Sequence, residues 1–228
     1  MRLSRLMALP FLVSFTLIGC ASTAPVRYGM NFQPLRPAPI PYHMVIDPFT
    51  DVRPDAERTQ PKCSLGNDCS TSDRDFKPGV STQIAEVLAK HLVKAGLIKS
   101  AVIREVDDSV DQDPGAMRVL AQEGVDIVMT AQLAHFTGFQ SGTNPAGMMF
   151  GALGVLTEAI ANKKSVKGQV EYRDLRIIDI KQQRVLWTGN IGHQFERQEV
   201  FYNGHVAYAL EALKDANGKV AIKLNELL

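Results

Sequence analysis

Between Val80 and Leu97 the chain carries Ile84, Val87, Leu88, His91, Leu92 and Ala95 on one stripe at three- and four-residue spacing. That is the period of an amphipathic helix. Pro78 suits its first turn, Lys90 and Lys94 suit its last, and Gly96 is a natural stop. Elsewhere the apolar residues come in short runs. His43 to Asp47 ends at Pro48 and reads as a first strand; Ala101-Val102-Ile103 reads as a second. Asp113-Pro114 offers a helix cap followed by proline at the first helical position, opening a short helix to about Glu123. Val125 to Phe136 is apolar enough for a central strand.

The clearest β pattern lies further on. In the stretch from Val185 to Gln198, Val185, Trp187, Ile191, His193 and Phe195 alternate with Thr188, Asn190, Gln194 and Glu196, a strand with one buried face. Its partner, Lys167 to Ile180, changes phase between Tyr172 and Leu175, which predicts a bulge there. Asn203 is placed to cap a last helix in which Val206, Leu210, Leu213, Val220, Leu224 and Leu227 repeat at helical spacing. Asn217-Gly218 falls inside that run and predicts a break or bend. Asp51 to Lys77 has no period and reads as a long loop. The expected fold is a single α+β domain over residues 43 to 228. Its sheet is antiparallel or mixed, with about five strands and helices packed mainly on one face.

Two stretches break this pattern. Residues 146 to 161 are nearly uncharged and contain Gly147-x-x-x-Gly151 with Met148, Met149, Phe150, Leu153, Val155, Leu156 and Ile160. These are too many apolar side chains for one narrow helical stripe. The segment is too short to span a bilayer as a helix. Met148, Met149, Phe150 and Leu153 are therefore expected to form an interaction surface covered by a second protomer, a partner or lipid. The alternative is a buried crossover helix covered by the domain's own long loop.

The other exception is the beginning. Met1-Arg2-Leu3-Ser4-Arg5 is followed by an apolar run from Leu6 to Ile18, the pattern of a secretory signal. Leu17-Ile18-Gly19-Cys20 resembles the lipobox of bacterial lipoproteins. The resemblance implies a signal peptide at 1 to 19, a lipid-modified Cys20 and a periplasm-facing protein. Ala21, in the position after Cys20, makes outer membrane the default address. Residues 20 to 42 then form a lipidated, proline-rich tether that reaches at most about 70 Å if extended. The alternative is that part of the arm lies along the domain as irregular strand.

Charge and cysteines refine this picture. The 228 residues contain Lys+Arg 25 and Asp+Glu 24; loss of Arg2 and Arg5 with the signal leaves 23 against 24. Such a balance excludes the basic field that nucleic-acid binding needs. Cys63 and Cys69, in Cys-Ser-Leu-Gly-Asn-Asp-Cys, are expected to form a disulfide in an oxidising compartment. Read instead as half a metal site, the pair lacks the further ligands zinc would need.

The order strand, helix, strand, helix, strand, hairpin, helix behind a lipobox carries a second resemblance. Val125-Asp126-Ile127-Val128-Met129-Thr130-Ala131-Gln132-Leu133, with the hairpin Leu175-Arg176-Ile177-Ile178-Asp179-Ile180 and Val185-Leu186-Trp187, resembles lipoproteins of the curli-secretion CsgG, LpoB and TolB N-terminal type. The layout also resembles small YajG-like lipoproteins. Where that hairpin usually turns through Thr-Gly, this chain has Lys181-Gln182-Gln183-Arg184, and the long membrane hairpins of the pore formers have no counterpart.

Catalytic signatures are missing from the sequence. His43, His91, His135, His193 and His205 stand singly without zinc-protease spacing, and Ser141 before Gly142 lacks the Gly-x-Ser-x-Gly elbow. His91 is expected to be a packed histidine with a local partner. Asp107, Asp108, Asp111 and Asp113 are spaced like a calcium loop, but Gln112 and Arg118 stand where glycine and glutamate are required. A solvated acidic turn is expected. The expectation is a non-catalytic outer-membrane lipoprotein, a scaffold or accessory subunit of an envelope assembly. It binds membrane through its lipid anchor and binds an envelope protein or a second copy of itself, with no cofactor, metal, nucleic acid or small-molecule substrate. An oligomeric export subunit and, more remotely, a periplasmic enzyme are the alternatives.

Overall fold

A computed structural model of the chain describes residues 23–59, 63, 68–107, 109–141, 164–199 and 204–228. The signal segment, Cys20, and Met148, Met149, Phe150 and Leu153 lie outside the described residues. In chain order the elements are β1 (Ile40–Ile46), β2 (Thr50–Asp51), α1 (Asp55–Thr59), β3 (Cys69–Ser70), a 3-10 turn at Asp73–Asp75, α2 (Val80–Lys94) and β4 (Ile98–Ile103). Then follow α3 (Pro114–Gln122), β5 (Ile127–Gln140), β6 (Lys164–Asp179), β7 (Arg184–Glu199) and α4 (His205–Leu227).

One seven-stranded mixed sheet results, with β4-β1-β5-β6-β7 as its main path and the two-residue strands β2 and β3 added to β5. The expected count of about five strands matches the main path; the sheet is larger by two short strands, β2 at the start of the expected Asp51 to Lys77 loop and β3 within it. β1 runs parallel to both β4 and β5, whereas β5, β6 and β7 are antiparallel. The two crossovers from β1 to β4 and from β4 to β5 travel in opposite directions along the sheet. Crossovers of one hand then require their helices on opposite faces. Accordingly α2 packs on one face with Met44, Ile46, Ile127 and Met129. On the other, Met117 and Leu120 of α3 pack against Val45, Val128 and Ile178. The larger core, with α2 and α4, lies on the first face; α3 departs from a purely one-sided packing.

The predicted hairpin is present with its bulge. The β6–β7 register shifts between Tyr172 and Leu175. Asp174 there adopts a left-handed φ of 48°, and its N–H donates to Asn190 Oδ1 at 3.1 Å. The turn closes without Thr-Gly because Asp179 Oδ1 accepts from Gln182 N at 2.8 Å.

α4 crosses the sheet over a notch. Gly138 of β5 and Gly168 of β6 are register partners. A Cβ on Gly138 would meet the His205 carbonyl oxygen at 1.9 Å, and one on Gly168 would meet the Tyr208 carbonyl at 2.5 Å. Two missing side chains thus let the first turns of α4 rest directly on the strands. The expected break at Asn217-Gly218 does not occur: α4 runs unbroken through both residues. Asn217 is fully buried, and its side chain bonds two tyrosines rather than competing for the helix backbone. The expected cap, Asn203, lies outside the described residues.

Candidate functional site

The proline-rich arm lies along the domain from its first described residues. Ala24 bridges to Phe76, with Ala24 N donating to the Asp75 carbonyl at 3.2 Å and Lys77 N to the Ala24 carbonyl at 3.0 Å. Val26 is buried, and its N–H donates to Gln83 Oε1 on α2 at 3.0 Å. Leu35 N donates to the Ala95 carbonyl at 2.8 Å, and Arg36 reaches Asn225 of α4 through Nε at 2.6 Å. No helix among the described residues is long and apolar enough to cross a membrane.

Beneath the arm runs a chain of hydrogen bonds with a consistent direction. Tyr172 on β6 donates to Asn217 Oδ1 at 2.5 Å. Asn217 Nδ2 donates to the Tyr28 oxygen at 2.8 Å. The Tyr28 hydroxyl, its oxygen thus engaged, lies 2.7 Å from His91 Nδ1 and is free to donate there. That arrangement fits a neutral imidazole. Burial, with Lys214 adding a nearby positive charge, pushes the His91 pKa down to about 4. Burial also pushes the Tyr28 hydroxyl up, against the Asn217 hydrogen bond. Phe32 of the arm stacks on the His91 ring at 4.4 Å. His91 is a packed histidine as expected, but its partner comes from 63 residues away. Beside it opens a largely apolar cavity of about 410 Å³, lined by Phe32, Leu35, His91, His193, Lys214 and Ile222.

A second cluster forms at the far end of β5. Cys63 and Cys69 are joined as a disulfide, and Cys69 pairs in register with Gln140. The pair acquires a neighbour that its spacing could not reveal. His205, in the first turn of α4, places Nδ1 at 3.7 Å from Cys63 Sγ. One ligand atom from each of Cys63, Cys69 and His205 falls within a span of 4.8 Å. On its other side His205 Nε2 faces Asp75 Oδ2 at 3.6 Å. That carboxylate is held by Ser72 N at 2.8 Å.

The remaining singled-out residues have structural partners. His43 meets Ser100 Oγ at 2.6 Å. His135 lies between Glu57, at 2.5 Å, and Glu171, at 3.7 Å, and His193 faces Asp215 at 3.3 Å. The acidic stretch is used locally. Asp107 accepts from Ser109 N at 2.8 Å, Asp113 caps α3 by accepting from Gly115 N at 2.7 Å, and Asp111 pairs with Arg176 at 3.2 Å. Asp108 lies outside the described residues. Sequence reasoning missed Arg53, whose side chain is 1% exposed and bridges Asp51 at 2.7 Å and Asp73 at 2.8 Å. This pair of bridges ties the β2–α1 corner to the 3-10 turn.

No protein-family model matches the chain, and no curated protein sequence matches it. Among solved structures it is similar to a Xanthomonas campestris protein of the DUF330 family, at 12% identity and a TM-score of 0.41, over 89% of this chain and 90% of that one. A PelC dodecamer from Paraburkholderia phytofirmans is similar at 12% identity and a TM-score of 0.37, over 79% and 90%. A lipoprotein from Neisseria meningitidis is similar at 12% identity and a TM-score of 0.34, over 82% and 99%. Likenesses this distant do not assign the chain to the curli-secretion, LpoB, TolB or YajG-like groups.

Proposed function

We propose that this protein is an outer-membrane-anchored periplasmic lipoprotein that acts without catalysis, as a scaffold or accessory subunit of an envelope assembly, with its domain held close against the bilayer. The observation that supports this reading is the docked arm. If Cys20 carries the lipid, only residues 21 to 23 separate it from Ala24, whose backbone is already tied to Asp75 and Lys77. Four Cα steps span at most about 14 Å. A reach of about 14 Å in place of about 70 Å turns a leash into a mount. The end of the domain bearing Ala24 also bears Phe76 and Asp75, and through Asp75 the first turn of α4. That end would face the headgroups, leaving the polar outer face of β6 and β7 directed away for a protein partner.

Anchoring by acyl chains is stable only when two or more are present, so the proposal stands on Cys20. Cys20→Ser should move the protein from the outer-membrane fraction to the soluble periplasmic fraction, with an unchanged melting temperature. A Cys20→Ser variant that stays with outer membrane, or a parent protein that is soluble, would overturn the anchor.

A further inference from the structure

We infer that Cys63, Cys69 and His205 form a redox-gated site for a thiophilic divalent cation such as Zn²⁺, closed while the disulfide stands and opened by its reduction. The inference does not depend on the lipid anchor. Its ground is geometric. A tetrahedral zinc with Zn–S near 2.3 Å and Zn–N near 2.0 Å sets its sulfur and nitrogen ligands about 3.5 Å apart. The structure already holds Cys63 Sγ and His205 Nδ1 at 3.7 Å. Cys69 Sγ lies within 4.8 Å of the other two ligand atoms and is bonded to Cys63 Sγ; two zinc-bound sulfurs stand about 3.8 Å apart. Breaking the S–S bond frees the two sulfurs to move apart to that spacing, with Cys63 Sγ already at coordination distance from His205 Nδ1.

The surroundings are those of a ligating histidine. A metal-bound imidazole commonly offers its other nitrogen to a carboxylate, which fixes the ring and strengthens the ligand. His205 Nε2 already faces such a carboxylate, Asp75 Oδ2, at 3.6 Å, a small ring movement short of a hydrogen bond, and Asp75 is itself fixed by Ser72. The backbone that carries the ring is seated as well, because the Gly138 and Gly168 notch sets the height of the first turns of α4. The two sulfurs lie beside the N-terminal turn of a 23-residue helix, where thiolates are favoured over thiols. Cys63, Cys69 and His205 are all half-buried, so a small ion can enter.

The opening step balances with a dithiol reductant of the thioredoxin class, or a phosphine in the test tube. The reductant supplies two electrons, the protein S–S bond breaks, and each sulfur takes a proton. Cation binding then releases those two protons as both sulfurs coordinate as thiolates. His205 contributes its neutral Nδ1, and the fourth position is left to water.

The full chain, purified in detergent, should be titrated anaerobically with Co²⁺ and Zn²⁺ after phosphine reduction and separately in the oxidised state. The reduced protein should bind one equivalent and show thiolate-to-Co²⁺ charge-transfer absorption; the oxidised protein should show none. Cys69→Ser should abolish that absorption. His205→Gln should weaken binding at least tenfold, and Asp75→Asn by roughly tenfold. Melting of the oxidised variants separates loss of a ligand from loss of the fold, and His205→Asn replaces any His205→Gln protein that fails to melt cooperatively. Reduced protein that binds no Co²⁺, equal binding by the oxidised form, or unchanged affinity in the folded His205 variant would each overturn the site.

Discussion

The parallel and antiparallel halves of the sheet are buried differently. In the parallel half Met44, Val45 and Ile46 of β1 and Ile127, Val128 and Met129 of β5 are all buried, residue after residue. In the antiparallel half, Thr188, Asn190, Gln194 and Glu196 of β7 are exposed while Ile191 is buried. The difference follows from the connections. Crossover helices cover both faces of parallel strands, whereas hairpin-connected strands need only one covered face. Stability should therefore concentrate in the parallel half, and the outer face of β6 and β7 should be free to vary or to meet a partner.

The sharpest break in this comparison is Ile127→Ala, which empties a fully packed site between α2 and the sheet. It should destabilise the domain by about 3 kcal/mol in urea melts. A loss below 1 kcal/mol would show that the parallel half is not the stability core. Arg53→Ala comes next. It leaves Asp51 and Asp73 facing each other without their shared cation. The expected loss is about 2 kcal/mol, below the range for fully buried pairs because Asp73 is well exposed. Chemical denaturation at pH 7 measures it, and a neutral outcome would mean the two acids rearrange freely to solvent.

A pH series sharpens the comparison at the junction of arm, α2 and α4. The folded pKa of His91, about 4, lies below its ordinary 6.5, so the unfolded chain takes up the proton first. The stability it contributes is complete above about pH 6.5, declines as pH falls towards 4, and is lost below that. The full shift corresponds to about 3 kcal/mol; screening on the cavity side reduces the expected change to about 2 kcal/mol. Melts of wild type and His91→Gln at pH 7.5 and 4.5 should differ by that amount, and identical pH profiles would contradict it. Smallest of all is Gln194→Ala on the outer face of β7, expected within about 0.5 kcal/mol of wild type.

What could be read in the sequence was what neighbours along the chain determine. The bulge between Tyr172 and Leu175 was legible because a change of alternation phase is a local event. α2 was legible from its stripe and its stop at Gly96. The rest depended on distant partners. Tyr28 and Phe32 stand among prolines with no period, and Tyr28 finds His91 and Asn217 at separations of 63 and 189 residues. His205 reaches Cys63 across 142 residues, so the cysteine pair looked like half a site. α4 was expected to bend because a glycine in a helix costs about 1 kcal/mol. Burial of its apolar face against three strands outweighs that.

The bond between Tyr28 and Asn217 also sets an order of events. The first part of the chain to reach the periplasm, if the protein is exported as proposed, cannot complete its packing until nearly the last has followed. Contacts of such sequence separation form slowly because the intervening chain must close first. Until α4 arrives, the Tyr28 ring has no Asn217 to meet and the notch at Gly138 and Gly168 stays bare. The tie between Tyr28 and Asn217 thus makes closure of the arm over α2 wait on the docking of α4.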